Sequence, residues 1–225
     1  WRAVTACRLT RRRRGLDMTR KEFLNNYWAY YLMLEDRFVH TLNYVELSED
    51  NENVYSNEYA GLIQMIGAEI DSFFKVYCGF GASETKNIAD YYRSITTNYP
   101  GILTQEVSIK AANMTFKPFD GWNGAQPKQS LFWWLAFDNI KHSRTANKKD
   151  ASQKNALYAL SALFLLEMKY LSNITVGTQE PDIPSISTKL FELNNWTYRY
   201  FSGKDAFFQI ENDSIVLGGG GADSI

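Results

Sequence analysis

Apolar residues recur at helical spacing from the twenties onward. Phe23, Tyr27, Tyr30, Tyr31, Leu34, Phe38, Leu42 and Val45 form one stripe, which predicts a long helix over 19–47. Thr19, with Glu22 three residues later, supplies a capping box at its start. The polar stretch Ser48 to Asn53 ends it. Tyr59, Leu62, Ile63, Ile66, Ile70, Phe73 and Tyr77 predict a second helix over 56–77, capped by Ser56 and broken by Gly79 and Gly81. Glu69 flanks that stripe, where a half-buried acid needs a cationic or hydrogen-bonding partner. A third helix is predicted over 83–98, with Ser83 as its cap and Pro100 past its end.

The pattern weakens over 101–129, where alternation of Val107, Ile109 and Ala111 predicts one short strand and 118–129 reads as loop. Two more helices follow, at 130–145 and 149–172. The turn at Ala146-Asn147 is short enough that they should pack as an antiparallel hairpin. Ala151, Ala156, Ala159, Ser161 and Ala162 keep the second of them narrow, so a neighbour can approach closely. Beyond Pro181 and Pro184 the period changes, and short strands are expected at 196–201, 206–211 and 214–217. The fold class is therefore mainly α: a bundle of about five helices over 18–180, a small β element over 181–217 and a flexible tail over 218–225.

Composition changes this picture at the ends. Residues 1–17 hold six arginines and a single acid, and read as a non-native or disordered basic segment ahead of Met18. A nucleic-acid-binding arm and a targeting peptide are the alternatives. Without that segment the 24 basic and 25 acidic residues fall to 18 and 24, a net of −6, so general affinity for nucleic-acid phosphates is not expected. Cys7 and Cys78 make no disulfide framework and no zinc spacing, and a reducing, cytoplasmic setting is the natural reading. The longest apolar run, around 156–166, is too short to span a membrane. Phosphate-binding glycine loops, serine-hydrolase elbows and calcium loops are lacking in the sequence, and no metal or cofactor is expected.

One polar cluster interrupts the apolar fourth helix: Asp138, Asn139, Lys141, His142 and Arg144. Asp138 and His142, four residues apart, share a face and can meet. The acid would favour the charged imidazole, while Lys141 and Arg144 would oppose it. Such a group can bind a phosphate or serve acid–base chemistry on one. It can equally be an ordinary ion-pair network, with basic residues complementing the dipole at a helix C-terminus.

The segment Trp133-Trp134-Leu135-Ala136-Phe137-Asp138-Asn139-Ile140-Lys141-His142-Ser143-Arg144, followed by an alanine-rich helix, resembles a pattern in uncharacterised bacterial helical proteins. Tyr27-Trp28, Tyr44-Val45-Glu46, Tyr55-Ser56-Asn57-Glu58-Tyr59 and Glu69-Ile70-Asp71 extend the likeness over about residues 20–172. More distantly, the helical layout and late histidine resemble the HEPN superfamily of higher-eukaryote and prokaryote nucleotide-binding proteins. Those are small helical bundles, often dimeric. Many are RNases of toxin–antitoxin and phage-defence systems, and others are non-catalytic. Active members carry an arginine separated from the histidine by four to six intervening residues. Here those positions hold Leu135, Ala136 and Phe137.

Two functions follow as expectations. The resemblance implies an RNA- or nucleotide-contacting factor using Lys141, His142 and Arg144, with Asn139, Asp138 and Glu69 assisting. Any cleavage would be metal-independent, with His142, Arg144 and Asp138 as the catalytic group. The alternative is a non-enzymatic interaction module, a homodimer, in which the same cluster is structural.

Overall fold

The computed structural model describes residues 18–201, 206–211 and 214–219. The basic segment 1–17 and residues 220–225 lie outside the described residues. The first helical rod is continuous but not uniform: α1 (Arg20–Phe23), a π turn (Leu24–Trp28) and α2 (Ala29–Thr41). The capping box forms, with Glu22 N bonded to Thr19 Oγ1 at 3.2 Å and Thr19 N to Glu22 Oε2 at 2.8 Å. The π turn holds an extra residue in the rod. Consequently Trp28, not Tyr27, takes the fully buried place after Phe23 and before Tyr31, Leu34 and Phe38. The rod stops at Thr41, short of the expected 47. Past it, the carbonyls of Val45 and Glu46 accept from the Gln153 side chain, at 3.2 and 3.3 Å, rather than from a further helical turn.

Helix α3 (Asn57–Cys78) starts on Ser56, whose hydroxyl accepts from Tyr59 N at 3.1 Å. It ends at Gly79, whose φ of 71° is a left-handed cap. Helix α4 (Ile88–Asn98) begins later than expected, because its cap is Asn87 and not Ser83. Asn87 and Asp90 bond reciprocally to each other's backbone amides. Upstream, Glu84 accepts from Gly81 N at 2.7 Å and pairs with Lys86 at 2.9 Å, which keeps that stretch a loop.

The expected strand is β1 (Val107–Ile109), and it has two partners. β2 (Met114–Phe116) returns along it through a turn with Asn113 at φ 51°, and β3 (Glu192–Leu193) pairs on its other edge. Helices α5 (Phe132–Ser143) and α6 (Gln153–Ile174) pack on one another across the 144–152 connection. α6 is the core of the molecule. It packs against α1, α2, α3 and α5, and Ala156, Ala159, Ser161 and Ala162 are fully buried along it. α3 and α5 approach closely at Gly67, where a Cβ would lie 2.3 Å from the Phe137 ring. Among the described residues no helix is long and apolar enough to cross a membrane.

The chain after α6 returns to the first rod as a strap. Arg20 donates to the carbonyls of Pro181 and Ile183 at 2.9 and 2.7 Å, and Trp28 Nε1 donates to Ile186 O at 2.7 Å. Glu35, buried on α2, accepts from Tyr31 OH at 2.8 Å, from the Thr188 hydroxyl, and from the amides of Lys189 and Leu190 at 2.8 and 3.2 Å. The β element of 181–217 is thus tied to the bundle through its first residues. Its sheet is antiparallel, in the order β4 (Tyr198–Phe201), β5 (Ala206–Glu211), β6 (Ser214–Gly219). Gly218 and Gly219, expected in the tail, form the end of β6. The fold is mainly α with a small C-terminal β element.

Candidate functional site

The last two turns of α5 carry the polar cluster, and the structure divides it into three parts. Asp138 sits between a lysine and a histidine. It is ion-paired with Lys128 from the preceding loop, and His142 Nε2 lies 3.5 Å from its other oxygen. The His142 side chain is 71 % exposed and that of Asp138 25 %. The imidazole is therefore open to solvent, and it shares its carboxylate with a lysine.

Asn139 faces the connection to α6. Its amide donates to Asp150 Oδ2 at 2.8 Å, while Asn147 Nδ2 donates to its carbonyl at 3.0 Å. The second bond is to the backbone carbonyl of Asn139; both close the turn, and the side-chain NH2 is committed to Asp150. Lys141 is exposed, with its ammonium 5.6 Å from the centre of the Phe137 ring.

Arg144 leads elsewhere. Its Nη1 donates to Asn57 Oδ1 at 2.8 Å, across the mouth of a cleft of about 440 Å³. Asn57, Arg144, Thr145 and Lys148 line that cleft with Tyr55 and Ser56. Backbone pairing shapes its floor: Ser56 N donates to Ala151 O at 3.1 Å and Gln153 N to Val54 O at 2.9 Å. The cleft thus opens on the first turn of a 22-residue helix, α3. In that turn Tyr59 N is capped by Ser56, leaving the amides of Asn57 and Glu58 without an intrahelical acceptor. Two cations and a helix N-terminus converge there, which is the electrostatics of an anion site.

Glu69 does not join the cluster. It lies half-buried on α3, facing Tyr27 and the fully buried Glu167 of α6, and burial raises its carboxyl above the usual range. Burial raises the Tyr27 phenol as well, and the neighbouring carboxyls of Glu69 and Glu167 add to it. Sequence reasoning missed Glu167; its only signal was an acid inside the apolar run Leu163 to Met168. Lys128 and Lys148 were missed because they reach the site from a turn before α5 and from a short 3-10 helix after it. Burial pushes the Cys78 thiol up to about 11, which suits a core-edge residue and not a nucleophile. Among the described residues no group of three or more His, Cys, Asp or Glu is placed to hold a metal.

No protein-family model, no curated protein and no solved structure matches the chain.

Proposed function

We propose that this protein is a helical factor that binds a phosphate-bearing ligand, RNA or a nucleotide, in the cleft between Arg144 and Lys148. The observation that carries the reading is the convergence of those two cations on the open first turn of α3. Exposed Lys141, one helical turn before Arg144, adds a further positive charge on α5. The HEPN resemblance names the same class of ligand and accommodates a non-catalytic member. Catalysis is the weaker half: Asp138 is shared with Lys128, and Arg144 hydrogen-bonds to Asn57, away from the His142–Asp138 pair.

A single-stranded RNA and ATP, titrated separately, test this. Arg144→Ala with Lys148→Ala should weaken binding about tenfold or more, the worth of one or two charge-assisted hydrogen bonds. It should also flatten the salt dependence by roughly 0.7 per lost RNA phosphate contact. Equal affinity in wild type and double variant would remove the cleft as the site. RNA cleavage by wild type that disappears in His142→Ala would make the protein an enzyme.

The interaction-module reading rests on a different observation. Asn139, Asn147 and Asp150 form a closed structural network at the α5–α6 turn. A concentration-dependent dimer in sedimentation, with no RNA or nucleotide binding, would favour it.

A further inference from the structure

Glu167 is the one acid in the buried stretch of α6, and its exposure is 0 %. Neither carboxyl oxygen accepts a hydrogen bond, and no described lysine, arginine or histidine pairs with it. Glu35 is the internal control: it is as deeply buried, yet four donors surround it. Helical spacing puts Glu167 one turn from both Phe164 and Tyr170. The Phe164 ring lies tilted against Trp28 and Tyr31 at 6.3 and 5.8 Å, and Tyr170 lies near Phe23 and Phe73 at 5.7 and 5.4 Å. Glu167 therefore faces the π turn through a wall of rings. The titratable groups that meet it there are Glu69 from α3, Tyr27 from the π turn and Tyr31 from α2. None of these is a cation.

We infer that Glu167 is held as a neutral carboxylic acid and works as a proton-operated latch between the π turn and α6. An ionised carboxylate in that wall would have no protein donor and no counter-charge to offset its lost hydration. Burial and then the charge of Glu69 hold its carboxyl well above the ordinary value of 4.5. The folded chain keeps this proton at pH values where the unfolded chain has lost it. The contribution of Glu167 to stability is thus full below about 4.5 and falls as pH climbs from there towards the raised value. In that window the folding constant drops by up to about tenfold per pH unit. Ionisation loosens the contact of Phe23 and Trp28 with α6, and with it the strap that hangs on Arg20 and Trp28.

Urea unfolding of the full chain between pH 5 and 9 reads this directly. Glu167→Gln should lose most of the pH slope and gain on wild type by up to about tenfold in folding constant per unit. Glu69→Gln should flatten the slope in part. Parallel profiles for wild type and Glu167→Gln would overturn the latch. Infrared spectra of ¹³C-glutamate-labelled protein at neutral pH keep the test decisive if Glu167→Gln fails to fold. Wild type and Glu69→Gln should both show a protonated-acid carbonyl band, and its absence from both would overturn the inference.

Discussion

Glu35 and Glu167 lie on facing helices, have the same chemistry and are equally hidden from water, yet four donors surround the first and none meets the second. Around Glu35 the donors come from Tyr31 and from residues 188–190. Truncation to alanine would leave the Lys189 amide without an acceptor and the Tyr31 phenol and Leu190 amide with Thr188 Oγ1 alone, at a cost of about 2–3 kcal/mol. Urea unfolding of Glu35→Ala at pH 7 measures it, and a loss below about 1 kcal/mol would mean the strap finds other acceptors. At this scale the sequence was informative where partners are local. Asp138 and His142, four apart, do lie within 3.5 Å. It was uninformative where partners are remote: nothing in the run around Glu167 says whether a cation waits opposite, and nothing near Arg144 points to Asn57.

Helix identity was legible from apolar period, and helix ends were legible only where the cap is local and unrivalled. Ser56 and Gly79 bound α3 as expected. For α4 two caps competed, Ser83 and Asn87, and the reciprocal Asn87–Asp90 bonds decided for the latter. Asn87→Ala should therefore cost about 1 kcal/mol while Ser83→Ala costs almost nothing, in equilibrium unfolding of the two variants. Equal losses would return the helix start to Ser83. The π turn had no signature in the period, because one extra residue shifts the stripe from Tyr27 to Trp28 without breaking it. β3 was unreadable for another reason. Two residues gain strand geometry only by pairing with β1, whose sequence is more than eighty residues away.

For the molecule as a whole, the mainly helical class and the β element after Pro184 were legible, because period 3.6 gives way there to period 2. The way the parts are joined was not. The strap of 181–193 completes the first rod through Arg20, Trp28 and Glu35. A chain ended after residue 180 should lose cooperative unfolding or aggregate, whereas one ended after residue 195 should keep a helical, cooperative bundle by circular dichroism. Equal behaviour of the two would show that the strap adds nothing to the body.

The same strap sets an order of events during synthesis. Arg20, Trp28 and Glu35 emerge from the ribosome early, but their acceptors and donors are translated about 150 to 160 residues later. Until then the amino-terminal rod is an unfinished surface, with a buried acid still unsatisfied and an indole still uncapped. Closure of the rod therefore waits on the translation of residue 190, and the nascent chain is most open to chaperones until then.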